Sequence, residues 1–206
     1  VSKFTTVKNG DNLEITGYNG DASKVIIPNI ADFWTKGLDQ GAKQVTISSR
    51  VMRKLAKNAT RIGLSKTDNQ KVVASDAFWQ DAFGGMTNDP RTGDNADGGM
   101  WIYNPNLTAM DLHNLDTTNI TDMSVMFNGG RNLNVVGDLS QWNVANVANM
   151  KIMFQRASSL TNIGNLDNWD TSKVTDMTSM FFYATNLTNI GDLSKWHTGN
   201  VTDMHS

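Results

Sequence analysis

The chain has 206 residues, of which 39% are hydrophobic, a formal net charge of −2 and no cysteine. No apolar run reaches the roughly 18 residues that a membrane span requires, and the near-neutral charge disfavours nucleic acid, whose phosphates select an excess of Lys and Arg. Because disulfides and thiolate metal sites are both excluded, we expect the hydrophobic core alone to hold the fold.

The first 99 residues contain short apolar segments of the kind that forms strands, among them Ile15–Tyr18 and Val25–Pro28. The residues after this region contain a 27-residue repeat, described below, which predicts a stack of repeats. The open end of such a stack exposes apolar surface and unpaired strand edges, so a more polar segment must cover it. We therefore predict that residues 1–99 form an N-terminal cap and the first, irregular coils of the same stack. An independent domain from residue 1 to about residue 85 is the alternative.

Within these 99 residues, five basic residues recur with helical spacing. The apolar Val51, Leu55, Ala59 and Ile62 fall on another side of the same predicted helix. The basic residues are Arg50, Arg53, Lys54, Lys57 and Arg61. The pattern predicts an amphipathic helix with a basic face. Such a face is a candidate site for a polyanion such as a glycosaminoglycan, because repeated cations match repeated anions. A helix face that is simply solvated is the alternative.

Residues 88–99 are polar and contain three glycines and one proline, which predicts a loop and a domain boundary between residues 99 and 100. Asp89, Asp94 and Asp97 make this loop a weak calcium candidate. Its 12-residue frame lacks the ligand order and the closing Glu of an EF-hand.

A repeat of 27 residues begins near Met100 and continues to the last residue. Several residue types recur at this spacing: Met123, Met150, Met177 and Met204; Phe127, Phe154 and Phe181; Trp142, Trp169 and Trp196; Gly137, Gly164 and Gly191. A unit this short cannot enclose its own apolar side chains, so each unit must bury them against its neighbours. Since the chain starts at Val1 and ends inside a repeat, we expect it to be an excised piece, with the array truncated at its C-terminus.

The spacing predicts an α/β solenoid, a right-handed leucine-rich-repeat-like stack with a short strand and a short helix in each 27-residue coil. Leu187, Ile190, Leu193 and Trp196 suit an inward-facing strand and turn. Val174–Phe181 suits a helical or 3₁₀ turn with Thr175 or Asp176 as its cap.

Residues 100–206 resemble the BspA-like leucine-rich-repeat surface proteins of lactobacilli and other Gram-positive bacteria. The residues that carry the resemblance are Gly191–Trp196 and Trp169–Met177. The resemblance implies a secreted protein, attached to the cell wall through regions outside this chain, that adheres to host surfaces or to other cells.

The positions between the buried repeat residues are polar and should form a strip suited to a repetitive ligand. The candidate ligand-binding residues are Asn134, Asp138, Gln141, Asn162, Asn165, Asn168, Asn189, Asp192 and Lys195.

Other repeated side chains are predicted to be structural. The Met, Phe and Trp ladders should fill the core, with sugar stacking as the alternative for Trp. Two Asp/Asn ladders, one at Asp138, Asn165 and Asp192 and one at Asp122, Asn149, Asp176 and Asp203, raise a calcium hypothesis. Capping and turn hydrogen bonds are the competing interpretation. We predict no metal site and no cofactor.

Three histidines, His113, His197 and His205, form no pattern typical of catalysis, so we predict that the chain is not an enzyme. The sequence favours a monomeric adhesion or binding module for a host-surface or matrix protein or glycan. A spacer without a ligand and a polyanion-binding module are the alternatives.

Overall fold

The computed structural model describes residues 1–83 and 106–205. Within these ranges the regular elements are the following: β1 Phe4–Asn9, β2 Asn12–Tyr18, β3 Lys24–Ile27, α1 Ile30–Trp34, β4 Gln44–Ile47, α2 Ser49–Asn58, β5 Arg61–Leu64, a 3₁₀ helix Thr67–Asn69, β6 Val72–Ala74, β7 Ala109–Asp111, β8 Leu115–Asp116 and a 3₁₀ helix Leu193–Lys195.

The strands form two open sheets. The larger has the order β1-β2-β4-β6-β8 and the smaller has the order β3-β5-β7. Only β1 and β2 are antiparallel; the other pairs are parallel. Period-2 alternation turns Val25, Ile62 and Met110 of the smaller sheet inward, where all three are buried.

Both α-helices begin at side-chain caps and present one apolar face to the core. Asn29 and Asp32 form a reciprocal capping box at the start of α1. Ser48 accepts the Val51 N–H at the start of α2, which buries Met52 and Ala56. None of the helices in the described ranges is long and apolar enough to cross a lipid bilayer.

In the second half, successive repeats are joined by backbone hydrogen bonds between single residues. Parallel bridges connect Asp122 to Asn149, Asn149 to Asp176, and Asp176 to Asp203. The N–H groups of Met123, Val125 and Phe127 each donate to a carbonyl of the next repeat, at 2.8–3.0 Å. The N–H groups of Met126 and Asn128 donate within their own turn, to the carbonyls of Met123 and Val125 at 3.4 and 3.1 Å.

A column of phenylalanine rings runs through this region and continues into the N-terminal half. Ring centroids lie 5.5 Å apart for Phe83 and Phe127, 5.2 Å for Phe127 and Phe154, and 5.6 Å for Phe154 and Phe181. The neighbouring Met123, Met150 and Met177 are also buried. The predicted core role is thus confirmed for Phe127, Phe154 and these three methionines, whereas Phe181 is only partly buried and Met204 is 60% exposed.

The prediction of a right-handed leucine-rich-repeat-like α/β solenoid is wrong. The described residues form mixed, open sheets with only 11% helix, and the repeats within residues 106–205 do not each contain a strand and a helix. The hydrogen bonds give the reason. Alternate N–H groups of the expected helical turn donate to carbonyls of the next repeat, so they cannot donate to the i−4 carbonyls of their own repeat as an α-helix requires. Positive φ angles at Val125, Ile152 and Ser179 also stop a helix in every repeat.

The expected irregularity of the N-terminal cap is wrong too, since β1–β6 and both α-helices lie within residues 1–83. The predicted repeat start at Met100 and the boundary between residues 99 and 100 lie outside the described residues. Both sheets contain strands from either side of that boundary.

Candidate binding surfaces

Nine polar side chains from three successive repeats are all exposed, and we call them the polar strip: Asn134, Asp138, Gln141, Asn162, Asn165, Asn168, Asn189, Asp192 and Lys195. The strip arises from the repeat pattern. Leu133, Val136, Leu139 and Trp142 are buried at every third position, so the residues between them face solvent. The structure thus places all nine sequence-predicted residues at the surface. Eight of them recur at the 27-residue spacing, and Asn134 holds the position of Thr161 and Thr188.

Part of the strip is engaged in turns that shape the backbone. Asp138, Asn165 and Asp192 each accept, through Oδ1, the N–H of the residue two positions later at 2.9–3.0 Å. At Asp192 the hydroxyl and the backbone N–H of Ser194 lower the carboxyl pKa from its ordinary value, because both donate to the ionised form. These oxygens therefore stabilise the turns, and a ligand would have to share them with the backbone.

Other members of the strip keep their hydrogen-bonding capacity. In residues 1–83 and 106–205, the side-chain amides of Asn134, Gln141 and Asn168 have no hydrogen-bonding partner in the protein. Each amide offers two donors and one acceptor oxygen. At the end of the strip, Lys195 Nζ lies 4.0 Å from Asp167 Oδ2. The available chemistry is therefore mainly neutral hydrogen bonding.

The tryptophans beneath the strip are core residues, so the sugar-stacking alternative is wrong for them. Trp142, Trp169 and Trp196 are 4%, 2% and 9% exposed. Each indole N–H donates to a leucine carbonyl of the preceding repeat, at 2.9–3.0 Å. Burial with a satisfied N–H is the stable arrangement for an indole in a core.

The second Asp/Asn ladder makes turn hydrogen bonds as well. Asp122, Asn149, Asp176 and Asp203 each accept the N–H two residues later, at 2.8–3.0 Å. The described residues contain no group of three His, Asp or Glu side chains that could hold a metal ion. Turn hydrogen bonds therefore engage one side-chain oxygen at every position of both ladders. The acidic loop with Asp89, Asp94 and Asp97 lies outside the described residues.

The basic helix is only partly as predicted. Arg50, Lys54 and Lys57 lie on α2 and are exposed. Arg53 is engaged, because its guanidinium donates to the carbonyls of Phe78 and Gln80 at 3.1 and 2.6 Å. Its predicted place on a free basic face is therefore wrong.

Arg61 does not belong to this helix. The helix ends at Asn58, and the extended Ala59 leads the chain into β5. There the N–H groups of Thr60 and Arg61 donate to the Ser23 carbonyl at 2.7 and 3.0 Å. This pairing fixes the start of a strand, which places Arg61 on the smaller sheet.

A broad concavity of about 700 Å³ lies on the outer face of that sheet, and we call it the sheet trough. The sequence alone did not predict it. Two rows of outward-facing residues form it: Lys24, Arg61, Ala109 and Val135 in one row, and Ile26, Gly63 and Asp111 in the other. Ile26 is 66% exposed and Val135 is 47% exposed. Alternation within Val25–Pro28 was the one available signal, since it forces Ile26 out when Val25 points in.

Charge at the trough is predominantly positive. Lys66 Nζ lies 2.8 Å from Asp111 Oδ2, which neutralises both. Burial raises the pKa of Asp111, but the Lys66 and His113 hydrogen bonds outweigh it and leave the pKa below its ordinary value. Within the described ranges, Lys24 and Arg61 form no ion pair.

Comparison with known proteins gives one family. Residues 99–206, just over half of the chain, match the family model described as "Mycoplasma protein of unknown function, DUF285". Neither the curated proteins nor the solved structures contain a match. The matched range holds the 27-residue repeats and the whole polar strip, which is compatible with a bacterial surface protein built from repeats. The chain therefore belongs to the DUF285 family.

Proposed function

We propose that this chain is a recognition module of a BspA-like bacterial surface protein, secreted and attached to the cell wall through other parts of its parent. Its partner is a host-surface or extracellular-matrix component, a protein or a glycan, bound along the polar strip. The observation that carries this proposal is the exposure of nine polar side chains at recurring positions of three repeats.

The chemistry of the strip suits a polar ligand with repeated groups. Gln141 and Asn168 hold equivalent positions in consecutive repeats, and both have uncommitted amides among the described residues. Repetition lets one ligand make the same weak hydrogen bond several times, so affinity rises through multiplicity.

The polyanion alternative rests on fewer residues than the sequence predicts. With Arg53 engaged and Arg61 on the sheet, three exposed cations remain on α2: Arg50, Lys54 and Lys57. Three solvated charges give a weak and strongly salt-dependent interaction.

The test is a screen of the purified chain against an array of glycans and matrix proteins, including sulfated chains, at low and physiological salt. A hit is then measured with the triple variant Gln141→Ala, Asn168→Ala and Lys195→Ala. We expect roughly a tenfold or larger loss of affinity, because each hydrogen bond contributes about 1 kcal/mol. The matched control is Thr185→Ala, which removes an exposed polar group of the same region outside the strip.

Each outcome has a definite meaning. Salt-resistant binding that the triple variant loses and the control keeps supports the strip. Binding that disappears at physiological salt and with Arg50→Gln, Lys54→Gln and Lys57→Gln supports the polyanion alternative. No binding at high protein concentration overturns direct recognition and leaves the spacer.

A further inference from the structure

We propose that the sheet trough binds an extended, acidic polypeptide segment that carries aliphatic residues four positions apart. The trough shares no residue with the polar strip, although Val135 directly follows Asn134, and the proposal does not depend on the function proposed for the strip.

The shape of the trough suits an extended chain that crosses the strands. Gly63 and Ala109 form a floor without bulk, and a Cβ added at Gly63 would meet no atom within 4 Å. The exposed Ile26 and Val135 stand at opposite sides of this floor. Measured across the strands, they are three strand spacings apart, about 14 Å, and they are offset by two residues along the strands. An extended chain that crosses the strands covers these three spacings in about four residues.

Side-chain alternation then fixes the ligand pattern. In an extended peptide, residues i and i+4 point to the same side, and residue i+2 points there too. Aliphatic residues at i and i+4 would pack on Ile26 and Val135, whose large apolar side chains are exposed to water in the chain alone. Residue i+2 would face the centre of the floor near Gly63.

The electrostatics select an acidic centre. Lys24 and Arg61 are directly paired across β3 and β5, are both exposed, and form no ion pair within the described ranges. The third cation, Lys66, is neutralised by Asp111. The trough therefore presents two adjacent positive charges that a ligand carboxylate at i+2 could reach together.

A polypeptide fits these features better than a sulfated glycan does. A glycan would use Lys24 and Arg61 but would leave the aliphatic Ile26 and Val135 without partners. Among the described residues, the lining of the trough contains no aromatic ring to stack on a sugar. A second groove of about 250 Å³ shares Ile26 and Ser65 with the trough and continues past Pro28. This continuity gives a longer peptide a path beyond the floor.

The test measures fluorescence anisotropy of the 206-residue chain with a labelled, end-blocked peptide of sequence Leu-Asp-Asp-Asp-Leu. We expect saturable binding, and a loss of it with the matching peptide Leu-Asn-Asn-Asn-Leu. Lys24→Gln and Arg61→Gln should each weaken binding by up to about fivefold, the scale of an exposed ion pair. Lys8→Gln, on the exposed edge strand β1, is the charge-matched control.

The decisive variant is Gly63→Ile, which fills the floor of the trough. Because the site is open and lies inside a strand, we expect the melting temperature to stay the same or rise while peptide binding is lost. Gly199→Ile, at a second glycine with open space around it, should keep both properties.

Three results would overturn the proposal: full binding by a folded Gly63→Ile variant, equal binding of the neutral peptide, or displacement by a heparin fragment as effective as displacement by unlabelled peptide. The triple variant of the polar strip should bind the peptide normally. A loss there would show that the two surfaces are not separate.

Discussion

Replacement of Gly164 by Ala should destabilise the chain much more than replacement of Gly63. Gly164 has a φ of +92°, a conformation that L-residues rarely adopt. An added Cβ would also overlap the Asp138 carboxylate of the preceding repeat and approach the Ser140 N at 3.2 Å. Asp138 would have to rotate away and lose its 2.9 Å hydrogen bond from that N–H.

The magnitude follows from these contacts. The left-handed conformation costs an L-residue about 1–2 kcal/mol, and the lost hydrogen bond costs about 1 kcal/mol. The lower entropy of unfolded Ala returns about 0.4–1 kcal/mol. We expect a net loss of about 2 kcal/mol in the free energy of unfolding. Gly63→Ala should instead be neutral or stabilising by about 0.5–1 kcal/mol, since it lies in a strand with open space around it.

Urea unfolding followed by tryptophan fluorescence and by circular dichroism measures both values, and coincident transitions justify the two-state treatment. A double-mutant cycle with Asp138→Ala isolates the steric part: Gly164→Ala should cost about 1 kcal/mol less when the carboxylate is absent. Equal effects of the two glycine substitutions would refute the close approach of the repeats at this point.

Three further predictions concern turns, charge and pH. Asp176→Ala should lower the free energy of unfolding by about 1 kcal/mol through loss of its turn hydrogen bond. Asp176→Asn should lower it less, because Asn149 makes the same hydrogen bond at the equivalent position. Calcium should leave the melting temperatures of both variants unchanged. Arg53→Ala should lower the melting temperature measurably because two carbonyls lose a donor, whereas Lys54→Ala should not. Because the pKa of Asp111 is lowered in the folded chain, the contribution of this residue to the free energy of unfolding is present above the ordinary pKa of 3.8 and is lost as the pH falls through the folded pKa. Asp111→Asn should therefore flatten acid unfolding curves below about pH 4.

The repeat could be predicted from the sequence because burial recurs with the spacing of the residues. The columns of Phe127, Phe154 and Phe181, and the buried Trp169, were all expected from the 27-residue period. The secondary structure inside each repeat could not be predicted this way. Apolar spacing does not show whether an N–H such as that of Val125 donates to its own turn or to the next repeat.

The two candidate surfaces differ in the same way in how far the sequence predicts them. Positions of the polar strip follow from the period, since a residue between two buried repeat positions must face outward. The sheet trough depends on pairing between strands far apart in sequence, such as β5 with β7, and no local pattern reveals that partnership. The basic pattern failed at Arg61 because one exposed cation fits a helix face as well as a strand face, and the tertiary bond to Ser23 decides between them.

The different origins of the two surfaces lead to a prediction that separates them. Deletion of residues 143–169 removes one 27-residue unit and joins Trp142 to Asp170, which occupies the repeat position of Asn143, so the bridges between the remaining repeats can form again. The deletion removes three strip residues and leaves the trough, which ends at Val135, intact. Affinity for a ligand of the strip should fall with the number of equivalent contacts, while binding of the acidic peptide should not change. Parallel loss of both activities in a folded deletion variant would show that the surfaces act as one.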